Sequence, residues 1–121
     1  MVELTEELKQ ELVSYQNLQQ QYQLIASQRQ QIQLQVLELD KALEEVSKAG
    51  TETGFFRAVG GVLVPKTKAT LDKDLKEEKE SVEVRVSLLE KQEQKLRERL
   101  EAIRKKFESL EGKSVTSQEE D

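Results

Sequence analysis

The sequence predicts a mostly α fold: two long coiled-coil helices folded back antiparallel and joined by a small β-hairpin. A heptad pattern of apolar residues runs through each half of the chain, and between the halves Gly60-Gly61 sits flanked by β-branched residues. With 36% charged and only 4% aromatic residues, the chain also has little with which to fill a globular core. It divides into residues 1–50, a first coiled-coil helix; 51–69, a loop and β-hairpin; 70–112, a second coiled-coil helix; and 113–121, an acidic flexible tail.

In the first helix, expected from Leu4 to about Lys48, the alternating spacing of three and four runs Met1, Leu4, Leu8, Glu11, Tyr15, Leu18, Tyr22, Ile25, Arg29, Ile32, Val36, Leu39, Leu43, Val46. Twelve of these fourteen positions are apolar or aromatic, so a narrow stripe faces one partner helix and winds a left-handed supercoil. About 45 helical residues make a rod of roughly 65 to 70 Å. Ten Gln between Tyr15 and Gln35 keep its outer surface polar without charge. Lys48 in the last turn and Gly50 just beyond it predict the stop, with Gly50 in a left-handed conformation. Leu12, Leu24, Leu34 and Leu37 fall off the seam and read as flanking contacts.

Val59-Gly60-Gly61-Val62 predicts a two-residue hairpin turn of type I′ or II′, pairing Val59 with Val62, Ala58 with Leu63, Arg57 with Val64 and Phe56 with Pro65. One face then carries Phe55, Val59, Val62 and Val64, the other Phe56, Ala58, Leu63 and Pro65, and both are expected to be apolar. A two-stranded hairpin with such faces needs partners. Pro65 blunts the edge of its strand, whereas the Val59 strand edge stays free to pair with another subunit.

The second helix is expected from Leu71 to about Leu110, capped by Thr70, with Asp72 and Asp74 near its positive end. Its seam runs Leu75, Lys79, Val82, Val86, Leu89, Glu93, Leu96, Leu100, Ile103, Phe107, Leu110, with Gly112 as the stop. A pivot at Gly60 and Gly61 makes facing residue numbers sum to roughly 120. Arg29 then lies near Glu93, and an ion pair between them would fix register. Exchanging the two charges should be tolerated far better than reversing either one in thermal unfolding; equal damage from all three variants would rule the pair out. Where the two helix ends meet, Leu4, Leu8, Leu12, Phe107 and Leu110 form an adaptable apolar tip for binding a client.

Several function classes are excluded or disfavoured. Absence of Cys and His removes the usual zinc ligands, thiol and imidazole nucleophiles and the commonest general base, and no catalytic constellation or metal site remains; no cofactor is expected. A net charge of -5 with interleaved signs disfavours nucleic acid. No apolar run spans a bilayer and the first residues do not read as a signal peptide, so a cytoplasmic protein without membrane contact is expected. A structural or tethering coiled coil that binds one partner along its length is the rival to a protein that holds many.

The Phe-Arg-x-Val-Gly-x-Val-Leu-Val pattern beginning at Phe56, with Tyr15-Gln-Asn-Leu-Gln-Gln-Gln, Lys41-Ala-Leu-Glu-Glu and Leu89-Glu-Lys-Gln-Glu, resembles the beta class of prefoldin subunits, of the archaeal type. The likeness covers nearly the whole chain from about Leu8 to Leu110, with a doubled aromatic at Phe55 and a proline at 65 as departures. It implies a hexamer of two alpha-class and four beta-class subunits whose hairpins assemble into an intersubunit β-barrel. It further implies an ATP-independent holdase whose tips capture unfolded proteins and pass them to a group II chaperonin. Gly60-Gly61 lacks the Lys-Ser/Thr of a phosphate-cradling loop, in keeping with that.

Overall fold

A computed structural model describes the backbone of residues 5–120 and the side chains of residues 5–110. Its elements are α1 (Glu6–Lys48), β1 (Phe55–Val59), β2 (Val62–Lys66) and α2 (Lys68–Glu120). They contribute to two compact units: Arg29–Leu88, which holds the hairpin, and Met1–Gln28 with Leu89–Asp121.

Helix α1 starts where Thr5 satisfies two orphan amides. Its Oγ1 accepts from the Leu8 N–H at 3.2 Å and its carbonyl from the Lys9 N–H at 3.0 Å, while Glu6 and Glu7 suit the positive end of the helix dipole. Leu4, the expected first residue, lies outside the described residues. The helix ends at Lys48 as its sequence implies, but not by a left-handed Gly50: positive φ is confined to Gly60 and Gly61 among the described residues. Gly50 instead accepts a turn bond from the Thr53 N–H at 3.1 Å. The terminal carbonyls are met by Lys68, whose ammonium donates to Ala49 O at 2.6 Å and Ser47 O at 3.5 Å, a capping role that lysine can take at the negative end of a helix. Lys68→Met should therefore cost about 1 kcal/mol, as loss of a cap does. Gly50→Ala should stay within about 0.5 kcal/mol, because an alanine Cβ there would meet only Thr53 Oγ1 at 3.9 Å. Urea unfolding of the two variants checks the pair.

The turn has φ of 54° at Gly60 and 82° at Gly61, which makes it type I′, and the strands pair in the expected register from Val59↔Val62 to Phe56↔Pro65 and on to Phe55↔Lys66. Type I′ geometry matches the right-handed twist of the strands, so the Gly-Gly pair itself sets the register. Pro65 falls at a position whose missing N–H faces away from β1, and β2 runs through it.

Helix α2 begins three residues earlier than expected. Thr67, not Thr70, is the cap: its Oγ1 accepts from the Thr70 N–H at 3.1 Å and its carbonyl from the Leu71 N–H at 2.9 Å. The earlier start puts Lys68 where it can reach the end of α1. It also leaves the first turn without acidic residues, so Asp72 and Asp74 pair with Lys76 at 2.8 Å and Lys66 at 3.8 Å instead of serving the dipole. Gly112 does not stop the helix, whose backbone continues to Glu120 through the expected tail. A single glycine costs about 1 kcal/mol in a helix, and no proline follows it to remove a donor.

In the Arg29–Leu88 unit, Val46, Leu71 and Leu75 form a buried cluster against which Leu39, Ala42, Leu43 and Phe55 pack. Ile32 and Val82 are also buried. The other unit buries Leu18 and, unusually, the carboxylate residue Glu93. Within each unit the early part of one helix meets the late part of the other: Asp40 with Lys79 at 2.6 Å in the first, and Tyr22 with Arg97 at 3.2 Å and Glu11 with Lys106 at 2.6 Å in the second. The helices thus run antiparallel in both. Every described seam position from Leu8 to Val46 and from Leu75 to Leu110 is buried or half-buried, whereas Leu12, Leu24, Leu34 and Leu37 are exposed.

Candidate functional site

The hairpin has one covered and one open face. Phe55 reaches the Val46–Leu71–Leu75 cluster, and on the same face Arg57 is ion-paired with Glu78 and Lys66 with Asp74. The expectation of two apolar faces is thereby corrected: alternation places Arg57 and Lys66 beside Phe55, and acidic residues of α2 neutralise them. On the opposite face Phe56 is 63% and Leu63 67% exposed, with Ala58 and Pro65 between them, also exposed. Val59 and Val62, next to the turn, are exposed as well, while Val64 is half-buried. In this register the outward N–H groups of β1 belong to Phe56 and Ala58, giving an unpaired strand edge beside an apolar surface.

In the unit that carries both chain ends, a shallow groove of about 250 Å³ is lined by Leu12, Tyr15, Arg104, Phe107 and Glu108. It brings together two of the five expected tip residues, Leu12 and Phe107. Leu8 and Leu110 are half-buried, and Leu4 lies outside the described residues. Tyr15 belongs to this surface although it reads simply as a seam residue in the sequence. Glu11 interrupts the seam beside it: Lys106 Nζ lies 2.6 Å from Glu11 Oε1, whereas Glu11 Oε2 is buried without a hydrogen-bond partner. A seam position that would otherwise hold an apolar residue is thus held by one charge-assisted contact.

Cations in and beside the seam are met by partners on the facing helix. The hydrogen bond to Asp40, helped by that carboxylate's charge and by Glu83, raises the Lys79 ammonium above the usual lysine range. Lys106 is raised in the same sense, chiefly by its hydrogen bond to Glu11. A raised lysine pKa contributes stability below the unfolded value and loses it only as pH climbs through the folded one, so while the carboxylate partners are ionised both contacts hold past neutrality and are lost on the alkaline side. Arg97 donates to the Tyr22 hydroxyl and sits 5.8 Å from its ring centroid, and that hydrogen bond holds its guanidinium above the usual range. Arg29 is half-buried and donates to Gln33 Oε1 at 2.7 Å; Glu93 is 4% exposed.

A second groove in the chain-end unit, of about 470 Å³, is floored by Ile25 and Leu96 and flanked by Leu24, Lys95 and Arg99. Leu24 gives no sign of this in the heptad pattern, where it occupies an outer position. Among the described residues there is no group of acidic, His or Cys side chains able to hold a metal ion, and no helix long and apolar enough to cross a membrane.

A family model described as Prefoldin subunit matches residues 9–114. The prefoldin subunit beta of Archaeoglobus fulgidus is 38% identical over 110 residues, covering 91% of this chain and 95% of that protein. The one from Thermococcus onnurineus is 42% identical over 91 residues, covering 75% and 78%. The crystal structure of the prefoldin beta subunit from Thermococcus strain KS-1 aligns with a TM-score of 0.85 at 34% identity, over 91% of this chain and 96% of that one. The chain belongs to the prefoldin subunit family, in its beta class, and is a chaperone component rather than an enzyme.

Proposed function

We propose that this subunit acts in an ATP-independent holdase that captures unfolded polypeptides at its coiled-coil tips and delivers them to a group II chaperonin. It does so in a cytoplasmic hexamer of two alpha-class and four beta-class subunits, without nucleic acid or membrane as a partner. The observation that carries this reading is that two of the exposed apolar surfaces differ in character. The Phe56–Leu63 face comes with a free β1 edge, whose directional hydrogen bonds suit one fixed partner, and supports assembly of the hairpins Phe55 to Lys66 into an intersubunit β-barrel. The Leu12–Tyr15–Phe107 groove is shallow and offers contact without directional demands, which suits capture of many sequences.

Capture at the tip needs Leu8, Leu12, Phe107 and Leu110, with Leu4, to be available, and the Glu11 interruption favours this because it removes one apolar layer from the seam beside them. Weak contacts at several tips of one assembly would add up through effective concentration. Use of Gly60-Gly61 in a turn, away from any helix N-terminus, supports holding without ATP.

The test is aggregation of a chemically denatured client, followed by light scattering without nucleotide. The assembled protein should suppress scattering at near-stoichiometric amounts. Leu12→Ser with Phe107→Ser should demand roughly fivefold more protein for the same suppression while leaving the particle mass unchanged. Undiminished suppression by that double variant would remove the tip from the mechanism.

A further inference from the structure

We infer that the groove floored by Ile25 and Leu96 is a second docking site, fitted to one amphipathic helix whose apolar stripe is flanked by carboxylates. Ile25 and Leu96 are seam residues left partly open, and Leu24 stands beside them 60% exposed, so the groove offers apolar contact from three side chains. Gln21 and Gln92 also line it, adding amides that tolerate either a donor or an acceptor.

Charge selects the occupant. Lys95 and Arg99 line the groove at i and i+4 on α2, one turn apart on the same side of the helix. Four cations elsewhere on α2 are, by contrast, engaged by anions: Lys76 with Asp72, Lys79 with Asp40, Arg104 with Glu101 and Glu108, Lys106 with Glu11. Among the described residues neither Lys95 nor Arg99 has an ion-pair or hydrogen-bond partner. Two free cations at helical spacing beside an apolar floor are complementary to a helix with carboxylates one turn apart next to its leucine-type stripe. Two charges on a chain of net charge -5 are too few to hold a nucleic-acid backbone.

The inference is independent of capture at the Leu12–Phe107 groove, since binding is measured directly and needs no chaperone activity. The probe is a fluorescein-labelled amphipathic peptide of about 16 residues with a leucine stripe flanked by glutamates; its control replaces every glutamate by lysine. Anisotropy titrations use the full chain in its assembled form. The acidic peptide should bind about tenfold more tightly than the basic one, and added salt should narrow the difference. Lys95→Glu with Arg99→Glu should invert the preference, and Leu24→Gln should weaken binding of the acidic peptide several-fold. Equal affinity for the two peptides would overturn the proposal, as would a preference that survives the charge reversal. Loss of acidic-peptide binding in Leu12→Ser with Phe107→Ser, but not in Leu24→Gln, would also overturn it by placing the site at the tip. If Leu24→Gln instead lowers self-association in sedimentation and leaves peptide binding intact, the occupant is a second copy of the chain and the proposal fails.

Discussion

Phe56→Glu combined with Leu63→Glu should abolish assembly with an alpha-class partner while leaving the chain helical. Both side chains are about two-thirds exposed on the open hairpin face and lie outside the buried Val46–Leu71–Leu75 cluster, so their replacement should move the subunit's own unfolding little. In an assembly the same positions would be buried against other hairpins, where each unpaired carboxylate costs several kcal/mol. Native mass spectrometry of the variant mixed with an alpha-class subunit should find only unassembled chains, whereas circular dichroism should match the wild type. A full-mass particle from this variant would take the hairpin out of the assembly joint.

Leu75→Ala should lower the stability of the chain by about 2–4 kcal/mol, the range for emptying a buried leucine site that cannot collapse. Leu75 is 6% exposed and sits with Val46 and Leu71 where both helices and Phe55 of the hairpin converge. The cavity would loosen all three elements at once, and with them the covered face that orients the hairpin. Leu37→Ala, by contrast, removes a side chain of the same size that is exposed, and should stay within about 0.5 kcal/mol. Urea denaturation of the two variants gives the comparison, and similar losses from both would mean that the Val46–Leu71–Leu75 cluster is not the anchor of that unit.

The sequence announces both of these sites, but not the ends of the helices. The seam is legible because a period of 3.5 residues has one physical solution, a narrow stripe on a helix facing another helix, and Ile32, Val46, Leu75 and Val82 are buried accordingly. The hairpin register is legible because Gly60-Gly61 can take positive φ at both turn positions and thereby dictates every pair back to Phe55. Chain ends of the helices are not. Thr67 and Thr70 are chemically equivalent caps, and the choice between them depends on Lys68 reaching Ala49 O, a contact between residues far apart in the chain. That same contact makes a left-handed Gly50 unnecessary.

Polar detail is lost for a similar reason. Arg57 and Lys66 belong to the hairpin's inner face by alternation, but only the position of α2 provides Glu78 and Asp74 to neutralise them. Lys79 reads as a gap in the seam, yet its partner Asp40 lies just off the seam of α1, where heptad counting does not look. Of the five expected tip residues, Leu12 and Phe107 share one groove; Tyr15, which lines that groove too, reads in the sequence only as a seam residue, and Leu24 beside Lys95 and Arg99 only as a flanking one.

The proposed separation of assembly at the hairpin from capture at the tips is tested most directly by site-specific photo-crosslinking. A benzophenone side chain is placed at position 12 in one preparation and at position 56 in another, each reconstituted with an alpha-class subunit and illuminated with a denatured client. Position 12 should yield adducts with the client, and position 56 adducts between subunits only. Client adducts at position 56, with none at position 12, would contradict it.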